Sequence, residues 1–262
     1  MTQADELLHA GDLDGARATL VESVRKAPSD HSARMFLFQL LAVSGEWDKA
    51  VNQLRSVAQL SPEAAMLATV YNQAITAERQ RQDAYAGRAP FPVLVASSPW
   101  IEQLAAGLTA LTAGRVEEGT ALRDEAFDAV PDAPGAFNDE QFLWIADADP
   151  RLGPCFEAIV SGKWGLIPFE AVTRIKSEGP KDLRDIVWLP VEMSLRSGQS
   201  AAALLPARYP GSEGAPTPEL RLGRATEWRD GPAGEAPIGQ RLWTFETGED
   251  VGVLALRQLD MA

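Results

Sequence analysis

The sequence predicts an α+β protein. Tetratricopeptide-like helical repeats form the front, residues 1–133, and a β-rich region forms the back, residues 137–262, as a small sheet or barrel. Three observations carry this prediction. A glycine turn and a closing proline recur near the N-terminus with a thirty-four-residue period. Apolar residues between them fall at helical spacing. Beyond about Phe137 that spacing gives way to short alternating runs punctuated by Gly and Pro.

The repeat is read from paired segments. AGDLDGA (Ala10–Ala16) and SGEWDKA (Ser44–Ala50) are the same turn, and Gly11 to Gly45, Ala16 to Ala50 and Pro28 to Pro62 are each thirty-four residues apart. In each unit the glycine ends a first helix, the alanine lets the second pack closely, and the proline stops it. Leu37, Phe38 and Leu41 make an apolar stripe that Leu54 and Val57 answer. A weaker third unit begins at TAGRVEEG (Thr112–Gly119), where Gly119 replaces the alanine and Gly114 precedes Pro131 by seventeen residues. Between the second and third units the pattern predicts a helix over Glu63–Ala86 and a Pro-bearing loop over Gly87–Pro99, after which Leu104, Leu108 and Leu111 recur at helical spacing. A solenoid this short needs a cover over its end. The first helices of such pairs line a concave face that holds a partner helix or peptide. Met35, Gln39, Val43, Leu104 and Leu108 are the candidate partner-binding residues, and core packing is the other reading of the same stripe.

PDAPGAFND (Pro131–Asp139) reads as a linker. The runs that follow, CFEAIV, GLIPFEAVTRI, DIVWLPVEMSL, SAAALLPARYP, LRLGRATEW, QRLWTFET and GVLALRQL, are the strand candidates. Alternation is clearest over Val187–Leu195 and Arg241–Thr247, which implies one buried face. LRSGQS (Leu195–Ser200) and FETGEDVG (Phe245–Gly252) read as hairpin turns. The Pro-rich GSEGAPTPE (Gly211–Glu219) and DGPAGEAP (Asp230–Pro237) read as exposed loops.

Composition narrows the function classes. The formal charge is −13, from 37 acidic and 24 basic residues without a Lys/Arg run, so the chain repels polyanions and nucleic acid is not an expected partner. A single cysteine fits a reducing compartment. The N-terminal residues lack the basic and apolar regions of a signal peptide. No segment approaches the roughly 18–20 apolar residues of a membrane span. A cytoplasmic protein without membrane insertion is expected.

The densest chemistry lies in WIADADPRLGPCFE (Trp144–Glu157). Asp147 and Asp149 have the spacing to chelate a hard cation, and Cys155 is a potential nucleophile, which makes a metal- or thiol-dependent enzyme the alternative function. Against it, the only histidines, His9 and His31, lie in the helical repeats, far from Cys155 in sequence. A lone cysteine commonly serves as a small buried hydrophobe. One cysteine and two distant histidines do not make a zinc site. SGKWG (Ser161–Gly165) lacks the spacing of a phosphate-binding loop, and G-x-S-x-G is absent. The structural reading makes this stretch the junction where the back packs onto the helices, with Trp144 and Ile145 in apolar contact and Arg151 bridging Asp147 or Asp149. No cofactor and no metal are expected. A self-associating scaffold is a third reading.

Several motifs together resemble one family. DADPRLGPCFEAIVSGKWGLIPFEAV is similar to the signature of the ImpE (TagJ) proteins of bacterial type VI secretion systems, carried here by Trp144, Asp147, Asp149, Arg151, Gly153, Pro154, Gly162, Trp164, Pro168 and Phe169. LRDIVWLP, with Arg184, Asp185 and Trp188, resembles a further family segment, as do LPARYPGSE, with Arg208 and Tyr209, and LRLGRATEW, with Trp228. IGQRL, with Gln240 and Arg241, and the N-terminal RMFLFQLLAVSGEWDKA resemble others. The resemblance implies a non-enzymatic accessory protein. Its implied partner is the N-terminal helix of the small contractile-sheath subunit, with an indirect effect on sheath recycling by the unfoldase ATPase. Of the motif residues, Arg184, Arg208 and Arg241, together with Arg224, are expected to pair with carboxylates inside the β-rich half, a cluster on one exposed face that marks an anionic ligand or partner site being the other reading.

Overall fold

A computed structural model describes residues 2–60, 62–231 and 234–262. Its front is helical. The described residues form α1 (Gln3–His9), α2 (Leu13–Lys26), α3 (His31–Val43), α4 (Trp47–Ala58), α5 (Pro62–Tyr85), α6 (Pro99–Thr112) and α7 (Val116–Asp128). Asp12 and Asp30 open α2 and α3 by accepting from the Gly15 and Ala33 amides at 2.8 and 3.0 Å. Gly11, Gly45 and Gly114 end their helices with φ of 83°, 68° and 81°, the left-handed turn the repeat spacing implies. The mismatch at Gly119 has a packing reason. A Cβ there would lie 2.7 Å from the Gly107 carbonyl oxygen, so glycine permits an approach of α6 and α7 closer than alanine would.

The strands are β1 (Gly135–Phe137), β2 (Glu140–Phe142), β3 (Ile145–Asp147), β4 (Cys155–Val160), β5 (Lys163–Pro168), β6 (Val172–Lys176), β7 (Trp188–Leu195), β8 (Ser200–Pro206), β9 (Thr226–Gly231), β10 (Gly234–Gly239), β11 (Leu242–Phe245), β12 (Asp250–Gly252) and β13 (Gln258–Met261). A short helix, α8 (Pro218–Arg221), precedes β9. An eight-stranded sheet runs β2-β1-β13-β6-β7-β8-β4-β5, its ladders antiparallel throughout. It stays open, with β2 and β5 at opposite edges, so the barrel alternative is not realised. A smaller sheet runs β12-β11-β3.

Both faces of the large sheet are covered. Cys155, Ile159, Trp164, Leu166 and Trp188 join the helical core with Phe38, Leu54, Tyr71 and Ile75. Phe156, Ile167, Leu189 and Leu259 face the other way, onto Trp243 and Phe245 of the small sheet. Two-sided burial is why β4 and β5 are almost uninterruptedly apolar.

Both predicted hairpins form, β7–β8 and β11–β12, with Gly198 and Gly248 at positive φ in their turns. Other expectations need correction. The predicted linker contains β1, and Asn138 and Asp139, with φ of 48° and 75°, turn it tightly into β2. Three-residue strands are too short to show a period. The stretch Gly211–Glu219 is not simply exposed, since Ser212 and Ala215 are buried and the Ser212 hydroxyl holds the Gly239 amide at 2.8 Å. The stretch Asp230–Pro237 is largely hairpin, β9 on β10, and Pro232 and Ala233 of that stretch lie outside the described residues.

Candidate functional site

The motif residues build a buried lattice of charges between α5 and the sheet. Arg241, fully buried, reaches Asp147 with one guanidinium nitrogen and Glu157 with the other, and its Nε donates to the Pro206 carbonyl at 3.0 Å. Its guanidinium sits 4.8 Å from the Tyr209 ring centroid. From α5, Arg81 grips Glu157 with two nitrogens at 2.8 and 3.1 Å and Glu78 with a third at 2.7 Å. The indole nitrogens of Trp164 and Trp188 donate to Glu157 and Glu78 at 2.8 and 3.2 Å. Asp147 also accepts from the Tyr209 hydroxyl at 3.2 Å and from the Asp149 amide at 2.9 Å. Asp149 holds Arg151 at 2.8 and 2.6 Å, and that guanidinium lies 5.5 Å from the Tyr85 ring centroid. Arg151 therefore bridges Asp149, and Arg241 takes Asp147.

Environment separates the two central carboxylates. Burial pushes Asp147 up to about 6, Asp149 adds to this, and Arg241 opposes it. Burial would raise Glu157 as well, but Arg81 and Arg241 outweigh it and hold that carboxyl at about 2. Cys155 is fully buried beneath them and donates its thiol to the Leu152 carbonyl at 3.2 Å. Burial pushes the thiol well above its ordinary range, so the thiolate that nucleophilic chemistry needs is disfavoured. Among the described residues, no group of three or more His, Cys, Asp or Glu side chains is placed to hold a metal ion. The oxygens of the D-x-D pair are engaged by guanidinium, hydroxyl and amide donors.

The other motif residues tie the halves together. Arg184 donates its amide to the Gln39 side chain at 3.3 Å and its Nε to the Tyr71 hydroxyl at 2.8 Å, lies over the Tyr71 ring, and pairs with Asp182. Asp185 accepts the Lys181 and Asp182 amides at 2.8 and 2.9 Å, closing the turn before β7. Trp188 packs between Trp47 and Tyr71, with centroids 5.8 and 5.9 Å away. Gln240 holds the Gly223 carbonyl at 2.8 Å. Gly153 abuts α7, where a Cβ would meet the Phe127 ring at 2.6 Å.

Two of the four arginines depart from the expected pairing with carboxylates. Arg208 donates to the Val43 carbonyl at 3.0 Å and to the Arg221 carbonyl. Arg224 reaches the Leu8 and His9 carbonyls at 3.3 and 3.5 Å. They sit on the C-terminal ends of α3 and α1, where orphan carbonyls and the helix dipole attract cations. Burial lowers Arg208 to about 10.

Glu78, Arg81 and Glu157 are lattice members that sequence reasoning missed. A signal exists for each. Glu157 is a lone charge inside the apolar run CFEAIV, and Glu78 and Arg81 sit one turn apart on the buried alanine stripe of α5.

The candidate partner-binding residues are largely enclosed. Val43, Leu104 and Leu108 are buried in the shared core, Gln39 is buried beneath the Arg184 segment, and Met35 is half-buried with its sulfur 3.9 Å from Arg184. Trp228 stands 40% exposed on the β9–β10 ribbon, apart from the lattice. Of the two residues expected in apolar contact at the junction, Ile145 is buried and Trp144 is 44% exposed. Trp144 instead lines an open cleft of about 300 Å3 with Trp100, Phe127, Pro154 and Phe169, rimmed by Asp132 and Glu170.

The chain resembles known proteins along nearly its whole length. The ImpE protein family model matches residues 139–260. Over 98% of this chain and 90% of the relative, the sequence is 44% identical to the type VI secretion system accessory component TagJ of Pseudomonas aeruginosa. A crystal structure of a Vibrio parahaemolyticus protein shares the fold at a TM-score of 0.86 and 23% identity, covering 100% of this chain and 98% of that one. By the near-complete match to TagJ, with the family model over its β-rich half, this chain belongs to the ImpE (TagJ) family.

Proposed function

We propose that the protein is a non-enzymatic accessory component of a type VI secretion system. In this reading it works in the cytoplasm as an adaptor that binds the N-terminal helix of the small contractile-sheath subunit, and through it influences sheath recycling by the unfoldase ATPase. The observation that carries the accessory role is the 44% identity to TagJ over almost the entire chain. The site supports it. The motif carboxylates and the cysteine are sealed under guanidinium groups and aromatic rings, so the motif serves as architecture. No helix among the described residues is long and apolar enough to cross a membrane.

Calorimetric titration of the intact protein with a peptide of the cognate sheath-subunit N-terminal helix tests the reading, with a scrambled peptide as control. Saturable, sequence-dependent binding that survives Cys155→Ala supports it. No binding at high micromolar peptide, with the protein folded, overturns the partner assignment.

A further inference from the structure

Strand β9 pairs with β10 alone, and Glu227 to Gly231 along it are exposed one after another. A two-stranded ribbon is marginal in water, and an unpaired edge is a template for another strand. The two edges of this ribbon are not equivalent. The β10 edge is closed at its base, where Gly239 donates its amide to the Ser212 hydroxyl at 2.8 Å and accepts the Tyr209 amide at 2.9 Å. Pro237, next along that edge, has no amide to offer. The β9 edge is open. Gln240 donates its amide to the Ala225 carbonyl at 2.9 Å, and bonded pairs alternate from there through Glu227↔Ile238 and Arg229↔Ala236. Trp228 and Asp230 fall between those pairs, so their backbone N–H and C=O groups point away from β10.

The side chains along this edge are self-complementary. About Trp228 as centre, Glu227 mirrors Arg229 and Thr226 mirrors Asp230. An antiparallel copy related by a two-fold axis at Trp228 therefore sets Glu227 opposite Arg229 twice and Trp228 opposite its own counterpart. Each charge gains a partner that a single chain does not give it. Across the ribbon Glu227 faces Ile238 and Arg229 faces Ala236, and among the described residues neither makes a salt bridge. Trp228, 40% exposed, lies opposite Pro237, so one row of the doubled sheet reads Pro237, Trp228, Trp228, Pro237. Moving the axis to Asp230 would set that carboxylate against itself, so the charges select one register.

We propose that β9 is a self-association edge, at which two copies of this chain pair antiparallel about Trp228 into one four-stranded sheet. A second copy is the occupant because the opposite charges and the aromatic counterpart are supplied by the strand itself. One short strand pair falls below the roughly 1,200 Å2 of a standard stable interface, and each chain carries a formal charge of −13. The dimer is therefore weak and builds with concentration. It does not depend on the sheath-subunit assignment.

Sedimentation equilibrium of the intact chain at physiological ionic strength, from low to high micromolar, tests the proposal. The variants are Arg229→Glu and the charge swap Glu227→Arg/Arg229→Glu, at exposed positions, with thermal melts confirming that both fold. The swap keeps the formal charge at −13, so it separates pairing across the strands from repulsion between whole chains. The expected result is a wild-type monomer–dimer equilibrium, weakened at least tenfold by Arg229→Glu and restored by the swap. A monomer mass at every concentration overturns the proposal. So does a dimer that Arg229→Glu leaves unchanged, which would place the contact elsewhere, and so does a loss that the swap fails to restore.

Discussion

Replacing Arg241 with methionine isolates the central bond of the lattice, because the substitution keeps an unbranched apolar stem and removes the guanidinium. Two carboxylates with fully buried side chains then lose a counter-charge at once. They do not lose equally. Glu157 keeps the two-pronged contact from Arg81 and the Trp164 indole, whereas Asp147 keeps only the Tyr209 hydroxyl and the Asp149 amide. Breaking a buried pair from one side costs about 3–5 kcal/mol, and most of that falls here on Asp147. For a chain of this size the melting temperature should drop on the order of 10 °C. Urea denaturation followed by circular dichroism at about pH 8 and about pH 5 would measure it. The loss should shrink at the lower pH, because an Asp147 without Arg241 escapes its buried charge by taking a proton. Adding Asp147→Asn to Arg241→Met should restore part of the stability. A loss below about 1 kcal/mol, or one equal at both pH values, would refute the claim that Arg241 neutralises buried carboxylates.

Asp147 itself gives the lattice a pH signature. Its carboxyl stands at about 6 against an ordinary 3.8, chiefly through burial, so the folded state holds this proton more tightly than the unfolded chain does. Stability relative to Asp147→Asn should be greatest below about pH 4 and fall by about 3 kcal/mol as the pH rises through 6; a difference that stays flat across this range counts against it. Gly153→Ala should cost about 1–3 kcal/mol in a thermal melt, since the new Cβ meets Phe127 at 2.6 Å from a backbone with φ of +50°, and an unchanged melt contradicts that packing. Residues 1–133 expressed alone would expose the Tyr71 and Ile75 surface and strand Arg81 without Glu157, so no cooperative transition is expected. Cooperative unfolding of that fragment would show that the core is not shared.

The legible part of the fold is the part with a period. Gly11, Gly45 and Gly114 announce the helical pairs because each must adopt a left-handed φ that other residues resist. Strands β7 and β11 show themselves by alternation, and Gly198 and Gly248 mark their hairpin turns. Strands β1 to β3 are three residues each and carry no such signal. The lattice was half legible. Asp147, Arg151 and Arg241 stand out in motifs, but pairing Arg241 with Glu157 across eighty-four positions depends on tertiary geometry that one sequence does not encode locally. Arg208 and Arg224 were misread for a related reason. An arginine that binds backbone carbonyls has no partner residue type to find, because any helix terminus will serve.

Those two arginines also explain why the concave face is spent. A short stack of helix pairs leaves an open end and a line of unsatisfied C-terminal carbonyls. The β-rich half answers both needs, placing Arg224 on α1, Arg208 on α3 and Arg184 on Tyr71 of α5, while Trp188 fills the space between Trp47 and Tyr71. Each contact that covers the repeat also occupies surface that a free repeat would offer to a ligand. The covering also has a limit. That limit is the junction after α7, where Leu143 and Trp144 leave the core and the cleft opens beside them.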